Sequence, residues 1–325
     1  MGDVIHTWPL AVALRQAVPD AEVAWLVEEQ FLPLVAGHPA VGRAIATATR
    51  RWRRSPLSSA TRDEVGRTRA VIAAFAADVA IDPQGLVKSG IWASLASVPR
   101  RIGFAGRARR ERLAGAFYTD AVTPPAGLRH VVDLNLSLLT ALGCVPTYGA
   151  LPDASFLHVP AAPADDGRER TIALIPGAGG AGKTWGVGGF AELARRLAGE
   201  GWRPVVPWGP GEKPLAERLA ALSGGSAAVA PPTTLPELCR LLAACGAVVG
   251  GDTGPTHLAA ALGVPTVAVH VATDPERNAA RGPRVNVVTG ARSGRLGGGA
   301  RTGRARAVTV DEVHAALAGL LEGRQ

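Results

Sequence analysis

Three cysteines in 325 residues, Cys144, Cys239 and Cys245, are too few and odd in number for a disulfide framework, and no CxxC pair suggests a metal site. Such usage fits a reducing cytoplasm. No run of about 18 uninterrupted apolar residues is present, so the sequence offers no membrane span although apolar residues make up 47% of it. The first residues lack the basic segment, apolar core and small-residue cleavage site of a signal peptide, which leaves nothing to direct export. No internal repeat of short period is visible, although the two halves could be one fold used twice.

What is present is length and positive charge. A chain of 325 residues exceeds what a single core usually serves, and two domains are expected. The net charge is +8, and its distribution says more than its size. Residues 43–69 hold eight arginines against Asp63 and Glu64, and residues 100–112 hold six against Glu111. Two such clusters in the first half point to an anionic partner: phosphorylated lipid, nucleic acid or an acidic sugar. The alternative is a solvated surface in an arginine-rich composition.

Short β-branched runs at 21–27, 79–81, 171–175, 204–207 and 247–250 alternate with segments apolar at helical spacing, such as 189–199 and 235–244. That alternation predicts parallel βαβ units and an α/β fold. Residues 159–170, rich in proline, alanine and charge without periodicity, predict a linker between an N-terminal domain (1–158) and a C-terminal one (171–325). A Gly/Arg-rich loop is predicted over 290–306, before a closing helix at about 310–321. At the start, Gly2-Asp3-Val4-Ile5-His6 reads as a turn entering a helix over about 7–17, with no strand before it. A Rossmann-like unit takes its first strand at the sheet centre, so the first strand of the N-terminal domain is expected to be missing.

Three glycine-rich turns follow predicted strands of the second half. Gly250-Gly251-Asp252-Thr253-Gly254-Pro255-Thr256-His257 precedes a predicted helix at 255–262. Proline at the first helical position leaves the amides of Thr253, Gly254 and Thr256 near a positive helix end suited to a diphosphate. Alternatively Asp252 or Thr253 is an ordinary N-cap and His257 a surface residue of the first turn. The second turn, Gly177 to Thr184, satisfies GxxxxGK[ST] and would place Lys183 on phosphates and Thr184 on magnesium. Against a P-loop, Trp185-Gly186-Val187-Gly188-Gly189 puts three glycines where its helix should run, and the helix is predicted to begin near Phe190. Lys183 then keeps a phosphate role from a loop, without an ATPase. In the third turn, Trp208-Gly209-Pro210-Gly211-Glu212-Lys213, Glu212 suits a ribose diol or, equally, a helix start. In the first half Asp3 is a candidate general base or an N-cap, and Asp82, Gln84 and Lys88 form a polar loop that could reach a cleft.

Together these segments resemble the ADP-heptose:lipopolysaccharide heptosyltransferases, glycosyltransferase family 9. The similarity runs over about 2–288: GDVIHTWP at 2–9, VEEQF at 27–31, RRWRR at 50–54, IDPQGLVKS at 81–89, PWGPGEK at 207–213, GGDTGPTHLAAALGVPT at 250–266 and TDPERN at 273–278, all in family order. RRWRR and IDPQGLVKS look like the type I enzyme, which adds the first heptose to the Kdo sugar of lipid A. The resemblance implies a GT-B fold, two Rossmann-like domains facing each other across a cleft, and an inverting transfer. It makes Asp3 the catalytic base, and Lys183, Thr184, Glu212, Asp252, Thr253, Gly254 and His257 the donor-binding set. Within that set Lys183 and the Thr253-Gly254 amides hold the diphosphate, Glu212 the nucleoside and Asp252 the heptose. Arg50, Arg51, Arg53, Arg54, Gln84 and Lys88 are left for the acceptor.

No DxD motif is present, in keeping with a metal-independent enzyme that needs no cofactor and uses ADP-heptose as donor substrate. The implied partners are ADP-heptose and a Kdo-lipid A acceptor at the membrane surface, with no nucleic acid and no transmembrane segment. The implied location is cytoplasmic, peripheral to the inner face of the cytoplasmic membrane. Departures are His270-Val271-Ala272-Thr273 where the family carries a YGPT-like segment, and the Gly/Arg-rich stretch at 290–306. The competing readings are a heptosyltransferase acting on another acceptor (a second core heptose or a protein), a P-loop nucleotide-dependent switch, and a non-catalytic binding module.

Overall fold

The computed structural model describes residues 1–157, 159, 170–177, 184–290 and 307–322. By its contacts the chain divides into two units. His6–Ala150 forms an N-terminal unit, while Met1–Ile5 joins the chain from Leu151 onward in a C-terminal unit. The sequence places residues 1–5 in the first domain; the structure instead puts their one-turn helix α1 (Gly2–Ile5) against the second half of the chain. The predicted linker at 159–170 lies, but for its two end residues, outside the described residues, as does the Gly/Arg-rich loop from 291 to 306.

The N-terminal unit carries two parallel sheets. Helix α2 (Trp8–Ala17) has proline in its first turn, and the buried Trp8 indole donates to the Leu34 carbonyl at 2.8 Å. Strands β1 (Ala24–Glu28) and β2 (Arg43–Thr47) pair in parallel, followed by α3 (Thr49–Trp52) and α4 (Ser59–Ala74). Then come β3 (Val79–Ile81), α5 (Val87–Leu95), β4 (Arg100–Phe104), β5 (Asp120–Val122) and α6 (Val131–Ser137), with β3, β4 and β5 forming the second sheet. Its core is Ile102, Phe104, Val122, Leu134 and Leu138. Helix α4 buries none of its residues. It is capped by the Ser58 hydroxyl, which accepts from the Thr61 amide, and lays the half-buried Val65 and Ile72 on Trp52 and Trp92.

The C-terminal unit is a doubly wound sheet. Its strands are β6 (Thr171–Ile175), β7 (Arg203–Val206), β8 (Ala228–Val229), β9 (Ala247–Gly251), β10 (Thr266–His270) and β11 (Val285–Thr289). All pair in parallel in the order β11-β10-β9-β6-β7-β8. The helices are α7 (Val187–Gly199), α8 (Lys213–Leu222), α9 (Leu235–Ala243), α10 (Gly254–Ala261), α11 (Pro275–Asn278) and α12 (Val310–Glu322). The central strands read as near-continuous apolar runs because helices cover both faces of such a sheet. Phe190, Leu193 and Leu197, at helical spacing on α7, are buried in this core, each contributing about 1.5–3 kcal/mol. The chain winds outward from β6 to β8 and then restarts at β9 on the other side of β6. The strand order thus reverses between β6 and β9, and a crevice opens beyond the carboxyl ends of strands at such a switch point.

Most predicted bounds hold to within three residues. The helix expected near Phe190 begins at Val187, with Gly188 and Gly189 inside its first turn. The Trp185 indole lies against Gly189, where a Cβ would stand 2.9 Å from it, and stacks edge-on with Phe190, so packing rather than propensity starts the helix. Among the described residues, no helix is long and apolar enough to cross a membrane.

Candidate active site

The β9–α10 turn sits at the switch point. Thr253 is the extended N-cap residue of α10, and its amide bonds the Gly251 carbonyl at 2.8 Å. The sequence expects three free amides here; the tight turn takes that of Thr253 and leaves those of Gly254 and Thr256 at the helix start, with proline between them. His257, expected as a surface residue under the N-cap alternative, is buried on α10 and places Nε2 3.1 Å from Asp252 Oδ1. Burial alone would push the Asp252 carboxyl up. The hydrogen bond and charge of His257, with His270 and the Thr273 hydroxyl, outweigh it and hold Asp252 below the usual carboxylate range.

Strand β10 brings a second imidazole. His270 is fully buried, and its Nδ1 lies 2.8 Å from Thr273 Oγ1. The direction of this bond follows the imidazole tautomer, and among the described residues no partner is found for the buried Nε2. Burial holds this imidazole below the ordinary histidine value, against the pull of Asp252 and Asp274.

Helix α1 closes one side of the turn. A Cβ on Gly2 would stand 3.2 Å from His257 Cδ2, and one on Gly254 would stand 2.5 Å from Met1 Cβ, so α1 and the start of α10 meet at van der Waals contact. This packing sets α1, whose first turn carries the half-buried Asp3, against the start of α10 within one unit.

Beyond β7, Glu212 caps α8 and accepts from the Gly209 amide through Oε2 at 2.9 Å. Its other oxygen faces the neighbouring strand end: a Cβ on Gly177 would stand 2.5 Å from Oε1. One oxygen of Glu212 thus serves the turn at the helix start, and the other faces Gly177 just past the end of β6. Thr184 is exposed in a bend before α7, and Lys183 lies outside the described residues. Because α7 begins after the Lys183-Thr184 pair, with Gly186 at its N-cap, the helix start that a P-loop requires is absent there.

In the N-terminal unit the four arginines at 50–54 have different surroundings. The Arg50 amide bonds Glu28 Oε1 at 2.8 Å and its guanidinium lies 5.7 Å from the centre of the Phe31 ring. Arg51 pairs with Glu29 and Glu64 at 3.3 and 2.9 Å. Arg51, and then the Trp52 indole, hold Glu64 down to about 2. Arg53 and Arg54 are exposed. Asp82, read from sequence as able to reach a cleft, is committed elsewhere: Oδ1 accepts from the Gln84 and Gly85 amides, and Oδ2 from Ser89 and Tyr118 hydroxyls, both at 2.7 Å. It organises the loop that carries Gln84 and the half-buried Lys88.

Residues 66–295 match the model of glycosyltransferase family 9 (heptosyltransferase). The chain is 35% identical over 276 residues to lipopolysaccharide heptosyltransferase 1 of Pseudomonas aeruginosa, covering 85% of this chain and 77% of that protein. It is 33% identical over 298 residues to the Escherichia coli protein of that name, covering 89% and 92%. The solved Escherichia coli heptosyltransferase WaaC with ADP superposes with a TM-score of 0.80 at 30% identity, over 98% of this chain and 97% of that one. The chain belongs to glycosyltransferase family 9.

As a family 9 glycosyltransferase it has the GT-B fold. Its C-terminal unit holds Asp252, Thr253, Gly254 and His257 on one turn against which α1 packs, with Glu212 at the next strand end but one. Among the described residues, no group of three or more His, Cys, Asp or Glu could hold a metal ion. Sequence reading left His270 and Thr273 out of the site and noted them only as a departure from the family pattern. The available signal was a histidine ending the apolar run Val267, Ala268 and Val269.

Proposed function

We propose that this glycosyltransferase transfers heptose from ADP-heptose to the Kdo sugar of lipid A, with inversion at the anomeric carbon. The observation that carries the reading is the packing of α1, the helix that bears Asp3, on α10, which follows the Asp252 turn. The named relatives, heptosyltransferases of lipopolysaccharide, and the ADP carried by the solved WaaC structure support the same donor and pathway.

In this reading the Gly254 and Thr256 amides and the positive end of α10 take the diphosphate, with Lys183 adding a full charge and Thr184 nearby in the chain. Glu212 Oε1 takes the ribose hydroxyls. Asp252, kept ionised and oriented by His257, accepts from the heptose hydroxyls. Asp3 removes the proton of the acceptor hydroxyl as its oxygen bonds to the anomeric carbon, and the bond from that carbon to phosphate breaks with its electrons leaving on ADP. Amide and lysine donors at the diphosphate stabilise that growing charge. The acceptor's phosphates and carboxylates meet the N-terminal unit through Arg53 and Arg54, with Arg50, Gln84 and Lys88 as further contacts and Arg51 holding its segment in place through Glu29 and Glu64. The enzyme works at the inner face of the cytoplasmic membrane, where such a lipid is found.

Asp3→Asn tests the reading because asparagine keeps the size and a hydrogen-bond-accepting oxygen of aspartate but cannot accept the proton. Turnover should fall about a hundredfold to ten-thousandfold, with ADP affinity by calorimetry and thermal stability unchanged. Turnover within a few-fold of the parent would leave Asp3 a structural residue of the first turn of α1.

A further inference from the structure

Two leucines of the N-terminal unit stand almost fully in solvent: Leu57 is 83% exposed and Leu113 77%. Each is set among exposed arginines. Leu57 follows Arg53, Arg54 and Pro56, an exposed run between α3 and α4, and Leu113 follows Arg107, Arg110 and Arg112. The nearby acids do little to offset this charge. Glu64 is taken by Arg51 and Trp52; Glu111, which accepts from the Val87 amide at the start of α5 at 2.7 Å, and Asp63 keep their charges but are outnumbered by Arg53, Arg54, Arg107, Arg110 and Arg112.

The fold brings the two segments to one helix. Trp52, at the end of α3, packs on Trp92 of α5 with ring centres 5.8 Å apart. On the other segment Phe117 lies against Gly90 of α5, and the Glu111 amide bonds the Gly85 carbonyl. Both leucine segments also follow the carboxyl ends of parallel strands, β2 and β4. Helix α4, which starts just after Leu57, buries no residue and exposes Arg62, Arg67 and Arg69.

We propose that Leu57 and Leu113 are the insertion points of a docking surface for an anionic lipid bilayer. A soluble partner with a folded surface would cover apolar area broadly, whereas single leucines ringed by guanidinium groups suit an interface where charge meets headgroups and one side chain enters the acyl boundary. Such docking holds the enzyme on the plane in which a lipid-linked acceptor diffuses, and to that extent it rests on the proposed function.

Flotation with phosphatidylcholine vesicles, with and without phosphatidylglycerol, tests the surface. The protein should float only with the anionic vesicles and be released by salt. Leu57→Asp and Leu113→Asp should each lower partitioning about tenfold with thermal stability unchanged, and Leu57→Trp should raise it. Neither aspartate variant should alter transfer to a water-soluble Kdo glycoside. Loss of vesicle binding with intact transfer, or the converse, therefore separates this proposal from the reading of the reaction. Equal binding to neutral vesicles, indifference to both aspartate substitutions, or tighter salt-sensitive binding to RNA that outcompetes vesicles would overturn it.

Discussion

Gly177→Ala is the sharpest probe of the donor side, because it displaces a functional group without deleting it. The new Cβ would stand 2.5 Å from Glu212 Oε1 and 2.9 Å from its Cδ. Non-bonded heavy atoms settle at about 3.5 Å or beyond, so the carboxylate must retreat by roughly 1 Å. That shift strains the 2.9 Å bond from the Gly209 amide and moves Oε1 off the position proposed for the ribose hydroxyls. A hydrogen bond to a charged group contributes about 1.5–3 kcal/mol, so ADP should bind roughly tenfold to a hundredfold more weakly. The obstacle is the end of a flexible side chain, so the melting temperature should barely change. Calorimetry with ADP on the parent, Gly177→Ala, Glu212→Gln and the double variant completes a cycle. If Gly177 acts through Glu212, the double variant binds no worse than the weaker single one. Parental affinity in Gly177→Ala, or two effects that add, would refute the placement of Glu212 at the nucleotide.

Three further outcomes follow from the same geometry. Lys183→Ala should weaken ADP about tenfold to a hundredfold in the same calorimetry, and unchanged affinity would remove it from the diphosphate. Arg53→Gln with Arg54→Gln should raise the acceptor's KM and flatten its salt dependence while sparing the donor's; a change confined to donor kinetics would contradict the division of labour. The buried, neutral His270 implies acid lability: its proton affinity is held down in the folded state, so the unfolded chain binds the proton first. Stability should be full above about pH 6.5 and decline as pH falls below it, and His270→Asn should flatten thermal melts between about pH 7 and 5. An equal slope in the variant would assign the effect to other groups.

The sequence determined the elements and the chemistry carried on contiguous turns. Apolar runs bounded by glycine at 171–175 and 247–250 could only be buried parallel strands, and the Gly250 to His257 turn carries its acid, its helix start and its imidazole within eight residues. These are local properties, set by spacing and by backbone freedom. The partners that lie far apart in the chain were not legible. Nothing in Asp3, Asp252 or His270 says that α1 packs on α10 or that β10 ends beside β9; sheet order and helix packing decide both. The four arginines at 50–54 read alike as a run of charge, yet Glu29 and Glu64, 21 and 14 residues away from Arg50, engage Arg51 and leave Arg53 and Arg54 exposed. Asp82 read as a free carboxylate until Tyr118, brought in by the strand pairing of β3 with β4 and β4 with β5, filled its last lone pair. A side chain's charge is written in the sequence, but whether that charge is spent inside the fold or offered to a ligand depends on which distant groups the tertiary structure places within hydrogen-bonding reach.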